Sequence, residues 1–388
     1  MEIGVVVHGP NIIDSGYGLK IINYLKKRAN IVCRLGGTMG RTAVIDASLE
    51  NIIDISRKLL PSESLDVLAQ NNPDVIILMN YGKSSITGHV FGYKVFDHYF
   101  EKTKNKQIPI IQIERPGEED GSLIFWNDNL EISNEINSLI TDLITDFKVK
   151  RIYPKEIRDV HFSREINNSS ARTVYGVSPN ENIMVNGVVV GKSQSTNVSL
   201  ICENNYLTRI IGGSIKKHGA EKLGKVDLEK SIVKTGLLRK SEVTPRILTN
   251  NDKNNHFKIA FLDHAAENIY NYKDMDLVVT IGDDTTLLAG DILYRFSTPI
   301  IGITDGDLDK VVEKGFKTND SIIFKVDEGF DDIIGNKIYK ELFKEDNIIS
   351  IPLDSSKSFE SFKVEEILKI KNRIIKIINM MNNKYIIE

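Results

Sequence analysis

The chain has 388 residues, more than the ~250–300 that one hydrophobic core usually supports, so two or more domains are expected. With 41% hydrophobic and 27% charged residues and a formal net charge of −3, the composition excludes a disordered chain and disfavours nucleic-acid binding driven by overall charge. Two cysteines, Cys33 and Cys202, lie in separate segments without CxxC spacing, which excludes a disulfide framework or a cysteine-rich zinc site and makes both small core residues.

The opening MEIGVVVHGP has no basic n-region, and no stretch approaches ~18 uninterrupted apolar residues. A cytoplasmic protein without a membrane span is expected. Residues 1–150 alternate β-type and helix-type runs: IGVVV, a helical stretch over 17–28, IVCRL, DVIILMN, HVFGYKVFDHYFEK and IPIIQIE. That rhythm predicts an α/β domain built on a parallel sheet. Phe91, Val95 and Tyr99 recur every four residues and read as a helix stripe facing the core.

Glycine-bearing loops follow the strands of this domain: His8-Gly9-Pro10, Gly36 to Thr42, Asn80 to Ser84, and Glu114 to Gly117. Ligands of open α/β sheets bind outside the carboxyl ends of strands, so Gly37, Arg41, Lys83 and Arg115 are candidate anion-binding positions. The GKS here is not a Walker A motif, because Ile77 stands where that motif needs its upstream glycine. His8 can act as an acid or base, although a histidine after a strand is more often structural.

Residues 151–250 are β-rich, with Asn-Gly, Asn-Asn and Gly-Gly turn signals, and predict a small antiparallel unit followed by a helix near 227–236. Lys216, Lys217, His218 and Lys222 form a basic cluster that reads first as a solvated face and second as a phosphate clamp. LTNNDKNNH reads as a linker.

Residues 251–388 return to the α/β rhythm with KIAFLD, DLVVTIG, a helix over 285–296, TPIIGIT and DSIIFKV. The chain ends in an amphipathic helix with Val364, Ile367, Leu368, Ile374, Ile375 and Ile378 on one side, expected to pack on its own domain. The fold class expected is therefore α/β, two parallel-sheet domains with a small β-rich segment between them.

Two strands of the last domain end in acidic loops, Gly282-Asp283-Asp284-Thr285-Thr286 and Thr304-Asp305-Gly306-Asp307-Leu308-Asp309. So many carboxylates at one rim are costly without a cation, and Mg²⁺ takes carboxylate oxygens together with water and substrate phosphate. Asp283, Asp305, Asp307 and Asp309 are the candidate ligands. Gly282, Thr285, Thr286 and Gly306 are candidate phosphate contacts, because a helix opening here leaves unpaired N–H groups.

The stretch IGDDTTLLAGDILYRFSTPIIGITDG, residues 281–306, resembles the NAD kinase signature, a GGDGT loop followed by a helix and a P-I-x-G-I-x-x-G strand. Gly282, Asp283 and Thr285 fall on that family's second Gly, its Asp and its Thr, while Ile281 and Asp284 replace its first and third Gly. The resemblance implies phosphoryl-donor contact by the loop and activation of an acceptor hydroxyl by Asp283. GDLD is similar to the GDxDS turn of thiamin and pterin pyrophosphokinases, with Lys310 in place of Ser, which implies a metal that carries ATP. A weaker likeness to the Toprim module would pair the DxD with Asp263 and Glu267. Taken whole, HGPNIIDSG, GGTMGRTAVID, VNGVVVG, KKHGAEKL and GDDTT resemble a family of uncharacterised archaeal proteins with no assigned activity.

The expected function is a Mg²⁺-dependent phosphoryl or diphosphoryl transferase acting on a small phosphate-bearing metabolite with ATP or another nucleotide. A homo-oligomer is compatible with it. The alternatives are a non-catalytic nucleotide or phosphometabolite sensor and a Toprim-like nucleic-acid enzyme.

Overall fold

In the computed structural model the described residues are 1–102, 108–158, 169–228, 230–236, 239, 243–248, 255–263, 266–306, 315–354 and 356–388. They divide into two units, Met1–Thr244 and Pro245–Glu388. The β-rich segment belongs to the first. Most of the expected linker, residues 249–254, falls outside the described residues, as do Asp307, Asp309 and Lys310.

The first unit is built on a seven-stranded sheet: β1 (Glu2–His8), β2 (Asn30–Gly36), β3 (Ile53–Asp54), β4 (Val75–Asn80), β5 (Ile110–Glu114), β6 (Ser122–Phe125) and β7 (Lys150–Ile152). Their spatial order is β3-β2-β1-β4-β5-β6-β7. β1 to β5 run parallel, while β6 pairs antiparallel to β5 and β7 follows β6, so the sheet is mixed at one edge. Continuous apolar runs such as Val75–Met79 arise because both faces are covered. Val5, Val7 and Ile77 pack on one side with Ile21, Ile22 and Leu25. Val6, Ile76 and Leu78 point to the other, against Leu65, Leu68 and the helix α1 (Ser85–Lys102).

The middle segment forms two small antiparallel sheets around one apolar core. The strands are β8 (Ser169–Val174), β9 (Asn182–Val185), β10 (Val188–Ser193), β11 (Val198–Glu203), β12 (Tyr206–Ile211), β13 (Gly213–Ile215) and β14 (Val233–Thr235). The β9–β10 hairpin turns at Asn186 and Gly187, both at positive φ, as the Asn-Gly signal requires. The helix expected near 227–236 is absent among its described residues. Val233–Thr235 instead pairs with β9, and ladder bonds to a strand some fifty residues earlier outweigh a weak local helix pattern.

The second unit carries β15 (His256–Asp263), β16 (Leu277–Ile281), β17 (Ile300–Thr304), β18 (Ile322–Val326), β19 (Ile348–Pro352) and β20 (Tyr385–Ile387), in the order β19-β15-β16-β17-β18-β20. β15 to β18 are parallel and sequential, flanked by antiparallel edge strands. Three helices matter below: α2 (Asp283–Tyr294), α3 (Asp331–Glu341) and α4 (Phe359–Met380). On α4, Phe362, Ile367, Ile370, Ile374, Ile377 and Ile378 bury against the sheet core, whereas Val364 and Leu368 of the expected stripe face solvent. Among the described residues no helix is long and apolar enough to cross a membrane.

Candidate metal centre

Three consecutive parallel strands of the second unit deliver an acidic side chain to one place. Asp283 lies two residues beyond β16, Asp305 directly beyond β17, and Asp331 five residues beyond β18 at the first turn of α3. One carboxylate oxygen from each lies within 4.8 Å of the others. Like charges this close repel strongly, and oxygen ligands of this kind suit a hard divalent cation.

Backbone hydrogen bonds lock the three loops to one another. Asp305 N and Gly306 N both donate to Asp283 Oδ2 at 3.0 Å. Gly329 N donates to Asp305 Oδ2 at 2.7 Å, and within the third loop Asp332 N donates to Asp331 Oδ1 at 2.9 Å. Gly282 (φ 91°) and Gly306 (φ 94°) make the turns, conformations that a side chain would strain. Gly282 N also donates to Ile303 O at 2.9 Å, extending the β16–β17 ladder one residue into the loop. The loops are thus preorganised.

Thr286 turns inward: its hydroxyl lies 2.8 Å from that of Thr280, and its methyl packs where Gly302 has no side chain. Thr285 is also buried. Neither Asp331 nor Lys325 was expected from the sequence. A Cβ on Gly306 would lie 3.0 Å from Lys325 Nζ, so this exposed ammonium stands at the edge of the acidic cluster. The signal for Asp331 is the same as for the other two, an acidic loop after a strand, here Asp327-Glu328-Gly329-Phe330-Asp331. Asp263 ends β15 and is exposed, while Glu267 is among the residues whose side chains are not described.

The model of a family described as an uncharacterised protein conserved in archaea, DUF2117, matches residues 5–346. The chain belongs to this family. A relative, an uncharacterised protein of Methanocaldococcus jannaschii, is 47% identical over 348 residues, spanning 88% of this chain and 92% of its own. No solved structure matches.

In this DUF2117 chain the expected N-terminal positions have a different character. Lys83 Nζ donates to Glu181 Oε2 and Thr235 Oγ1, both at 2.7 Å, and so ties the first sheet to the β-rich segment. Arg115 is bound to Asp120 at 2.8 Å and to the carbonyls of Gly82 and Lys83. Arg41 is buried, and Gly37 (φ 89°) faces the ring of His8.

Between these loops lies a buried polar chain. His8 and Asn80 are register partners at the ends of β1 and β4, and Asn80 and Glu114 at the ends of β4 and β5. His8 Nδ1 meets Asn80 Oδ1 at 2.7 Å, and Asn80 Nδ2 donates to Glu114 Oε2 at 2.7 Å. Gln112 Nε2 and Gly82 N donate to the same carboxyl, and Trp126 Nε1 donates to Gln112. Gly88 on α1 makes room, since a Cβ there would fall inside the Glu114 carboxyl group; Gly92 does the same for Gln112.

Burial pushes Glu114 up to about 7, against the hydrogen bonds from Gly82, Asn80 and Gln112 and the charge of Arg115. Burial also brings His8 down to about 4, with Asn80 opposing and the charge of Lys234 assisting. The two slopes of stability against pH have opposite signs. Glu114 binds its proton more tightly when folded, so its contribution is full below about 4.5 and is lost as pH rises through about 7. The contribution of His8 is full above 6.5 and is lost as pH falls through about 4. Between 4.5 and 6.5 they offset one another. In His8→Asn the Glu114 slope should therefore emerge as stability falling with rising pH, by up to about 1.4 kcal/mol per pH unit. Urea midpoints across this range measure it; a variant whose pH profile matches the wild type contradicts the assignment.

Proposed function

We propose that the protein is a Mg²⁺-dependent phosphoryl or diphosphoryl transferase that uses a nucleotide and acts on a small hydroxyl-bearing metabolite. The observation that carries this reading is the approach of Asp283, Asp305 and Asp331 carboxylate oxygens to within 4.8 Å at three neighbouring strand ends. Asp283, Asp305 and Asp331 would hold the metal, which would supply charge neutralisation for phosphate oxygens.

Lys325, whose ammonium reaches the Gly306 turn, is placed to meet a phosphate oxygen as a point charge. In the reaction the acceptor oxygen forms a bond to phosphorus as the bond to the nucleotide leaving oxygen breaks. The acceptor proton passes to a carboxylate of the cluster, the role the resemblance implies for Asp283. Phosphoryl transfer asks a protein mainly for placement and charge stabilisation, which rigid loops and one cation provide.

Titration calorimetry with ATP in the presence and absence of Mg²⁺, together with an assay of nucleotide consumption over hydroxyl-bearing acceptors, tests the reading. Mg²⁺-dependent binding with consumption is expected. Binding without consumption would make the protein a nucleotide sensor, and the absence of any Mg²⁺-dependent binding would sink both.

A further inference from the structure

We propose that the carboxyl ends of β1 and β4 in the first unit form a separate ligand site for a neutral, hydroxyl-bearing molecule of the sugar or polyol class, with His8 Nε2 as its hydrogen-bond acceptor. The sheet order β3-β2-β1-β4-β5 places the reversal of strand order between β1 and β4. Such a reversal opens a crevice at the carboxyl edge, because the loops on its two sides diverge to opposite faces. His8 and Asn80 end the two strands that flank it.

The imidazole is held from two directions. Asn80 fixes Nδ1, and Phe91 of α1 stacks on the ring face with centroids 4.0 Å apart and planes 17° from parallel. The hydrogen-bond chain also fixes its tautomer. The Glu114 carboxyl takes the Asn80 amide N–H, so Asn80 presents its oxygen to His8, and the proton must sit on Nδ1. Nε2 is left with a lone pair, and among the described residues no partner hydrogen-bonds it.

The Cδ2–Nε2 edge of the ring lies beside a glycine. A Cβ on Gly37 would come within 3.8 Å of Nε2. Gly37 has positive φ, so the bare backbone beside the nitrogen is part of the turn geometry.

Charge selects the ligand class. Lys83 and Arg115 at this rim are bound to Glu181 and Asp120, and the charge of Lys234, which reaches the imidazole, favours its neutral form. A neutral imidazole that offers only a lone pair repels phosphate and carboxylate oxygens and attracts a hydroxyl hydrogen.

Nitrogen NMR of the full-length protein with labelled histidine, with His8 assigned through His8→Asn, tests the site. At pH 7 the His8 signals should be pyrrole-like at Nδ1 and pyridine-like at Nε2. Ribose should move the Nε2 signal, and inorganic phosphate should not. Gly37→Ala, whose methyl would lie about 3.6 Å from ring carbon Cδ2, should keep the tautomer and lose the ribose response. A wild-type proton on Nε2, an Nε2 signal indifferent to ribose, an equal response to phosphate, or a ribose shift that survives in Gly37→Ala would each overturn the proposal.

Discussion

Asp283→Asn is expected to lower Mg²⁺-dependent nucleotide turnover by more than about 100-fold, beyond the ~10–100-fold that loss of an outer-shell partner brings. The amide keeps an oxygen for the N–H groups of Asp305 and Gly306, which now bond Asp283 Oδ2 at 3.0 Å, so the loop should survive the change. What disappears is one of three negative charges crowded within 4.8 Å. Without metal, relief of that repulsion should raise the melting temperature. With Mg²⁺ the order should reverse, because the wild type gains stability through binding, about 2.7 kcal/mol when the ion is at 100 times its Kd, and the variant gains little. Asp331→Asn should behave alike. Thermal unfolding with and without Mg²⁺ separates this from a purely structural role: a variant less stable without metal, yet still stabilised by it to the wild-type extent, would mean that Asp283 only ties loops together.

Asp283 and Asp305 are legible in the sequence because they follow apolar strands almost directly, and strand ends are where α/β sheets present their ligands. Asp331 is harder to read. Four residues separate it from β18, and the turn at Gly329 (φ 77°), with its hydrogen bond to Asp305, brings that loop back over the cluster. The cations show the opposite difficulty. Lys83 and Arg115 stand in glycine-bearing loops that suggest anion binding, yet their partners are set by tertiary structure, Glu181 lying 98 residues away from Lys83. Phe91 fits a helical core stripe equally well whether it meets aliphatic side chains or, as here, an imidazole. The fold itself is read more easily, since runs such as VIILMN and LVVTI are apolar on both faces and can only be interior strands. The antiparallel direction of β6 has no such local mark; it depends on the register Glu114↔Ser122.

Arg239→Ala is the substitution expected to destabilise the first unit most, and nothing in the local sequence marks it. The guanidinium forks onto Asp14, with Nε to Oδ2 at 2.8 Å and NH2 to Oδ1 at 2.6 Å, while NH1 reaches Asp46 Oδ2 at 2.7 Å. All three side chains are about nine-tenths buried. Asp14 and Asp46 lie on the short helices that follow β1 and β2, so one arginine beyond β14 ties both carboxyl-end loops together. Removing it takes the guanidinium away from two carboxylates in a low-dielectric setting, and a buried pair broken on one side costs about 3–5 kcal/mol. Adding Asp14→Asn and Asp46→Asn to Arg239→Ala should recover part of that loss, because the penalty comes from uncompensated charge rather than from lost packing. Chemical denaturation of the three proteins decides the matter. A loss below about 1 kcal/mol, or no recovery in the triple variant, would show the cluster to be as weak as an ordinary surface ion pair.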